Sequence, residues 1–254
     1  MLAHEYDTMR NVEDTYWWYR VLRRMTTAAT IRHLPRAYGA TILDAGCGTG
    51  GTLDALRSTG NGWRLHGFDF SPLAVALCHS RGFADVKTGS VNEVPEADAS
   101  FDVVISMDVL CCDGVDYRKA LLEFHRVLKP GGILIMNLPA FACLRGRHDV
   151  AVASVHRFTT GEVRGLHQAA GLVPVSIHYW NAWLFLPILV WRQITRRSAM
   201  KQSESEAESD LSPLPAPING LLTAASTIES SLCRLLKPPF GTSVFSVARK
   251  PDSI

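Results

Sequence analysis

The chain has 254 residues, of which 47% are hydrophobic and 20% charged, and its formal net charge is +2. This length is enough for one α/β domain with a sizeable insertion. The nearly balanced charge excludes a general electrostatic affinity for nucleic acid. The six cysteines form no Cys-x-x-Cys pair and the nine histidines show no metal-ligand spacing, so neither a metal site nor a disulfide framework is predicted. The N-terminal residues lack the regions of a secretory signal, and we expect a cytoplasmic protein.

Residues 1–39 precede the predicted sheet, and we expect them to form a helical cap. They contain four adjacent aromatic residues, Tyr16-Trp17-Trp18-Tyr19, with Arg23 shortly after them. Aromatic residues at helical spacing usually pack in a core, but four adjacent ones cannot all face the same side. We therefore expect some of them, Trp18 among them, to contact a ligand or a lid.

The next element is a strand that runs into a glycine-rich loop. The strand ends at Asp44, glycines follow at 46, 48, 50 and 51, and a helix begins near Thr52. Glycines and free helix N–H groups let a nucleotide-like ligand approach the backbone closely. The pattern Gly46-x-Gly48-x-x-Gly51 also fits a dinucleotide site, which leaves an NAD(P) oxidoreductase as an alternative. Asp44 argues against it, because a carboxylate there would repel a pyrophosphate and suits a cationic ligand.

Strands and helices then alternate to about residue 180, which predicts a Rossmann-like, doubly wound α/β sheet. We expect seven mostly parallel strands with an antiparallel last one, and a core spanning residues 40–180 and 241–254. The predicted strands after the first are 63–69, 84–88, 101–106, 133–137, 172–178 and 243–248. Ser71 is expected to cap a helix over 73–80, a second helix covers 117–128, and a capping box of Thr159 and Glu162 opens a third.

Residues 181–240 are expected to form a helical insertion, in which 198–217 are acidic, rich in proline and predicted to be disordered. Within it, residues 179–197 are strongly apolar, with three tryptophans and three arginines. The stretch is too short, and too interrupted by Pro187, to span a bilayer. It is typical of a peripheral membrane contact or the wall of an apolar pocket, although a helix packed on the sheet fits equally.

Two motifs resemble the class I S-adenosylmethionine-dependent methyltransferases. They are the stretch Asp44-x-Gly46-x-Gly48-x-Gly50 and the turn Lys129-Pro-Gly-Gly132 followed by a buried strand. The resemblance covers roughly residues 40–180 and implies S-adenosylmethionine as cofactor. A second alternative is a non-catalytic or pericyclic protein that retains this ligand, because Cys111-Cys112 replaces the Glu-His common in the family.

The cofactor-binding residues follow in part from position and in part from the resemblance. Asp69, at the end of the second strand, can accept hydrogen bonds from the ribose hydroxyls of an adenosine. The resemblance places the adenine beside Ser90 and Val91 and the methionine half beside Met107, and it implies that an N-terminal helix closes over the cofactor. Arg23 could then pair with the cofactor carboxylate. The full predicted set is Arg23, Asp44, Gly46, Gly48, Gly50, Asp69, Phe70, Ser90, Val91 and Met107.

The connection 138–158 lies where the family binds its acceptor. With Trp18, the basic residues Arg145, Arg147 and Arg157 would form a wall suited to an anionic group, although a solvated loop is an equal alternative. His148 or His156 could remove a proton from a hydroxyl nucleophile. The sequence thus predicts a methyltransferase for a small-molecule or lipid-like acceptor, such as a prenyl phosphate, a lipid-linked sugar or a hydrophobic secondary metabolite.

Overall fold

The computed structural model describes residues 3–34, 39–199 and 214–252. They form a seven-stranded sheet in the order β3-β2-β1-β4-β5-β7-β6. The first five strands are parallel, while β7 runs antiparallel between β5 and β6. The predicted fold class is therefore confirmed. The strands are β1 Thr41–Ala45, β2 Arg64–Asp69, β3 Val86–Thr88, β4 Phe101–Met107, β5 Leu128–Pro139, β6 Val173–Trp180 and β7 Ser243–Arg249.

Nine α-helices surround the sheet within the described ranges. In chain order they are α1 Ala3–Val12, α2 Trp17–His33, α3 Gly51–Arg57, α4 Pro72–Ser80, α5 Tyr117–Val127, α6 Arg147–Ala151, α7 Thr160–Ala169, α8 Ala182–Ala199 and α9 Ala216–Leu236. A short 3₁₀ turn covers Ala142–Leu144. The cap predicted over residues 1–39 contains α1 and α2, and the insertion contains α8 and α9.

The central strands are apolar along their whole length because helices cover both faces of the sheet. Side chains such as Leu43, Val104 and Leu134 are fully buried on one face, where Phe124 of α5 packs. On the other face, Ile42, Ile105 and Ile135 pack with Val21 of α2 and Trp180 of β6. Helix α2 is therefore part of the core, and it fixes the aromatic residues at its own start above the sheet edge.

Some local expectations need correction. Strand β5 begins at Leu128, not at 133, because the turn Lys129-Pro-Gly-Gly132 stays in the sheet with Gly131 at a φ of 75°. The hydroxyl of Ser71 makes no capping bond, and its N–H instead donates to Asp69 Oδ1 at 2.9 Å. The Thr159 hydroxyl does cap α7, by accepting from the N–H of Glu162.

The predicted disordered stretch 198–217 falls largely on residues 200–213, which lie outside the described residues. At its ends the prediction is wrong, because Ser198 and Ala199 belong to α8 and Ala216 and Pro217 begin α9. The domain boundaries proposed from the sequence stay predictions.

Side-chain hydrogen bonds of α9 join the insertion to α2 and join the two helices of the insertion to each other. Asn219 of α9 accepts from the N–H of Trp17 and donates to the carbonyl of Thr15, both at 2.8 Å, where α2 begins. Glu229 accepts from the N–H groups of Asn181 and Ala182 at 3.0 and 2.6 Å, and so caps α8. Among the described helices, we find none with the length and apolar character needed to cross a bilayer.

Candidate active site

A cavity of about 620 Å³ opens at the carboxyl ends of β1, β2 and β4. The strand order reverses between β1 and β4, which is the position where open α/β sheets bind their ligands. The volume is in the range of sites for small molecules and cofactors. Its walls come from the glycine loop, the loops after β2, β3 and β4, the start of α2, the 138–158 connection and α8.

The glycine loop between β1 and α3 brings bare backbone to the cavity. Gly46, Gly48 and Gly50 have φ angles of 84°, 54° and 85°, which side chains rarely adopt. A Cβ atom on Gly48 would lie 2.9 Å from Cε of Met9, and one on Gly46 would collide with Val109. Gly46 and Gly48 line the cavity, as does Gly51, whereas Gly50 packs against Cys78 on the other side. Of the predicted glycines, Gly50 thus supports the loop from behind.

Asp44 is the most unusual group at this edge. It is 1% exposed, and its Oδ2 atom has no hydrogen-bond partner within the described structure. Burial, together with the nearby charge of Asp69, raises the pKa of Asp44 to about 7, against the lowering effect of Arg23. A buried carboxylate oxygen without a donor is costly, and a positive charge would relieve that cost. The residues present therefore fit a cationic ligand such as S-adenosylmethionine.

Asp69 lines the cavity at the end of β2, as predicted, but protein donors already occupy much of its carboxylate. It accepts from the N–H groups of Gly48 and Ser71, each at 2.9 Å, and from the Tyr6 hydroxyl at 3.2 Å. A carboxylate has about four lone-pair positions, so little capacity remains while Tyr6 donates. The tyrosine of α1 thus takes a position that a ribose hydroxyl would need.

The remaining predicted cofactor residues also line the cavity. Phe70 is 81% exposed, so its ring has room for a planar partner, and Val91 is buried behind the β3 loop. Ser90 Oγ accepts from the N–H of Asn92 at 3.2 Å, which tightens that loop. Met107 lies at the end of β4, where its sulfur accepts from the Thr26 hydroxyl of α2 at 3.6 Å.

Arg23 lines the cavity too, and its guanidinium is paired with acids of the cap. Nη2 contacts Glu13 Oε2 at 2.5 Å and Nη1 contacts Asp14 Oδ1 at 3.3 Å. Glu13 is 3% exposed and also accepts from Thr49 of the glycine loop and from Arg81. Glu13 therefore joins the cap to the loop. Sequence reasoning missed it, and the only local signal was an acidic pair directly before the aromatic residues.

Asp108, after β4, is a second carboxylate that sequence reasoning did not assign to the site. Its φ of 56° is strained for a residue with a side chain. Its oxygens accept from Asn137 Nδ2 at 3.0 and 2.8 Å, and Asn137 Oδ1 accepts from Trp180 Nε1 at 2.8 Å. Burial raises the pKa of Asp108 to about 6, opposed by Asn137 and Arg157. Trp18 stacks on Trp180 with a centroid distance of 6.1 Å, so the aromatic residues of α2 reach this network.

Only one of the three arginines predicted to form a basic wall lines the cavity. Arg157 lines the cavity and holds Asp149 through Nε and Nη2 at 2.8 and 3.0 Å, while Nη1 donates to the Ala140 carbonyl. Arg145 is exposed and donates to the Val155 carbonyl at 3.0 Å, outside the cavity lining, and Arg147 also lies outside it. Arg192 of α8, which was not among the predicted site residues, does line the cavity.

The two histidines considered as bases lie in different places. His148 lines the cavity. His156 lies outside the lining, where its Nε2 pairs with Glu162 at 2.8 Å and its ring stacks on Tyr117 at 5.4 Å. Cys111 is buried in the core, as expected of a small apolar residue, and Cys112 is partly buried at the cavity wall.

Comparisons with known proteins agree with this geometry. Residues 43–136 match the family model described as a methyltransferase domain. The chain is 27% identical over 168 residues to a probable S-adenosylmethionine-dependent methyltransferase of Mycolicibacterium smegmatis, covering 65% of this chain and 62% of that protein. It is 34% identical over 121 residues to a malonyl-[acyl-carrier protein] O-methyltransferase of Enterobacter lignolyticus, covering 47% of each. The chain thus spans less than two thirds of the length of these curated relatives.

Solved structures support the fold. A geranyl diphosphate C-methyltransferase from Streptomyces coelicolor superposes with a TM-score of 0.54 at 16% identity, covering 89% of this chain and 76% of that one. That structure contains Mg²⁺, geranyl-S-thiolodiphosphate and S-adenosyl-L-homocysteine. At this identity the likeness establishes the common fold and nothing about the acceptor.

Proposed function

The chain belongs to the class I S-adenosylmethionine-dependent methyltransferases, and we propose that it methylates a small amphiphilic or hydrophobic acceptor. The observation that carries the proposal is one cavity whose lining combines carboxyl groups at the strand ends with apolar and basic side chains from other elements. The carboxyl groups at the strand ends suit a cationic cofactor. The lining from α2, the 138–158 connection and α8 adds aliphatic and tryptophan side chains and two arginines, which suits an apolar body with an anionic head.

On the cofactor side, S-adenosylmethionine supplies, when bound, a methyl group activated by a cationic sulfur. Asp44 would lie against the positive charge, and the amides of Gly46 and Gly48 would allow close approach. Asp69 would accept from the ribose hydroxyls once Tyr6 gives up its own hydrogen bond. Arg23 would hold the cofactor carboxylate by sharing its guanidinium with Glu13.

On the acceptor side, Trp18 of α2 and Leu184 and Ile188 of α8 supply apolar surface that excludes water from the reacting groups. Arg157 uses three of its five N–H donors inside the protein, so two remain for an anionic head. Arg192 adds a second charge on the same wall. Geranyl diphosphate, named for one structural neighbour, is a molecule of this kind.

Where the acceptor nucleophile is a hydroxyl, a group in the cavity must take its proton. Asp108 is the better placed candidate, because Asn137 and Trp180 fix its carboxylate and its pKa of about 6 lies close to neutrality. His148, on the 138–158 side, is the second candidate. His156 is the weakest of the three, because it lies outside the cavity lining.

The test is methyl transfer to amphiphiles of stated structure. Purified protein, tritiated S-adenosylmethionine and either geranyl diphosphate or undecaprenyl phosphate are incubated, and label is counted in the organic phase. We expect label in an amphiphile, and a several-fold higher KM for it in Arg192→Gln with the cofactor affinity unchanged. Arg145→Gln, outside the cavity, is the matched control. Absence of label from both amphiphiles, although S-adenosylmethionine binds, would refute the acceptor class.

A further inference from the structure

Helix α8 carries apolar side chains on two faces, and one of these faces lines the cavity. Leu184, Ile188 and Arg192 line the cavity at intervals of four residues. The other face carries Trp183, Leu186, Val190, Trp191 and Ile194, whose side chains are 41% to 70% exposed. At 100° per residue these five lie within an arc of about 140°. The outer face is therefore a continuous apolar stripe on the helix that also forms the cavity wall.

Scattered exposed apolar residues are normal, but a contiguous stripe with tryptophans marks an interaction surface. Tryptophan prefers the boundary between a bilayer and water, because its ring is apolar and its N–H is polar. A helix of this kind lies in the boundary plane when a polar or basic flank accompanies the apolar face.

The charges in the sequence of α8 itself have one sign, whereas the chain segment that follows it is acidic. The sequence of α8 contains three arginines and no acidic residue. The sequence of α9 contains one acid, Glu229, and its two oxygens accept from the N–H groups at the start of α8. Apart from Glu229, the sequences of the two helices contain no carboxylate that would oppose an anionic surface.

We propose that the outer face of α8 binds peripherally to an anionic lipid bilayer, and that the inner face guides a lipid-like acceptor from the bilayer into the cavity. The second half of this inference rests on the proposed function. A second copy of the chain fits the face less well. A symmetric dimer would bring the same arginine-bearing helix against itself and place like charges together.

The test is co-flotation of the purified chain with vesicles of phosphatidylcholine and phosphatidylglycerol at 3:1. Leu186→Ser/Val190→Ser/Ile194→Ser removes the three aliphatic side chains of the stripe, keeps its two tryptophans and leaves the cavity wall untouched. Ile31→Ser/Leu122→Ser/Val173→Ser is the matched control, because those side chains are exposed to a similar degree on other elements. Calorimetric binding of S-adenosylhomocysteine reports in each case that the protein is folded.

We expect wild type to float with these vesicles, the α8 variant to lose at least tenfold in partitioning, and the control to stay within twofold. Half-molar NaCl should weaken binding, because the arginines act through screened charge. Three outcomes would each overturn the proposal. Wild type does not float, both variants lose vesicle binding equally, or light scattering shows a dimer of wild type that is a monomer in the α8 variant. If wild type does not bind S-adenosylhomocysteine, that result counts against the proposed function alone, because vesicle binding does not require this ligand.

Discussion

Replacing Asp44 by asparagine should stabilise the ligand-free protein at alkaline pH while weakening its hold on the cofactor. The free carboxyl has a pKa of 3.8, and the folded protein raises it to about 7, chiefly through burial. An acid with a raised pKa binds its proton more tightly when folded. Ionising it therefore costs stability, beginning above about pH 4 and reaching its full value above about pH 7.

The difference between these pKa values corresponds to about 4 kcal/mol, at 1.36 kcal/mol per pKa unit. At pH 5 only about 2 kcal/mol of this cost is present, because the folded protein still holds the proton. The asparagine amide introduces N–H groups without an evident acceptor, which costs about 1–3 kcal/mol at any pH. The gain in stability should therefore be about 2–3 kcal/mol larger at pH 8 than at pH 5.

Urea unfolding followed by tryptophan fluorescence measures the free energy of unfolding at both pH values. Asp85→Asn is the control, because that side chain is exposed on a loop, and it should change stability by less than about 0.5 kcal/mol. Calorimetry should show at least a thirtyfold weaker affinity of Asp44→Asn for S-adenosylmethionine at pH 8. An Asp44→Asn effect of equal size at pH 5 and pH 8 would refute the claim that this carboxylate is ionised at a cost.

Three further changes test other parts of the site. Gly46→Ala places a side chain at a positive φ and against Val109. Calorimetry should therefore show at least a tenfold loss of cofactor affinity. An affinity equal to that of wild type would contradict the claim that the bare backbone of Gly46 lets the cofactor approach. Arg157→Gln leaves the carboxylate of Asp149 buried without its charged partner. Urea unfolding should report a free energy of unfolding lower by about 3 kcal/mol, partly recovered in Arg157→Gln/Asp149→Asn. An equal loss in the double variant would contradict a stabilising ion pair. Glu229→Gln removes the charged cap of α8. The midpoint temperature of thermal unfolding should fall by a few degrees, corresponding to about 1 kcal/mol. An unchanged midpoint would show that the cap is dispensable.

The parts of the site that lie close together in the chain could be predicted from the sequence. Asp44 lies near the end of β1, and Gly46 and Gly48 follow that strand within a few residues. The backbone of a strand–glycine–helix unit is fixed by local sterics. Asp69 could be placed because parallel strands end at the same edge of the sheet. The position of Gly50 behind the loop could not, because it depends on the packing of Cys78 from the next helix.

The residues that the sequence did not place depend on contacts between distant segments. Asp108 faces the cavity in a left-handed conformation, and its partner Asn137 is brought beside it only by the pairing of β4 with β5. Glu13 reaches the glycine loop because α1 and α2 fold over the sheet. In the 138–158 connection, the basic residues alone could not reveal that Arg157 points into the cavity and Arg145 away from it. The sequence gives the number of basic residues in this connection, and only the fold shows which of their side chains face the cavity.

Calorimetric titration of the intact chain with S-adenosylmethionine at pH 7, in phosphate and in Tris, tests the central claim most directly. A cationic ligand that lies against Asp44 should bind once per chain and displace part of a proton. The observed heat should then differ between the two buffers, and NAD should give no heat. Absence of heat with S-adenosylmethionine, or binding of NAD in its place, would contradict the account.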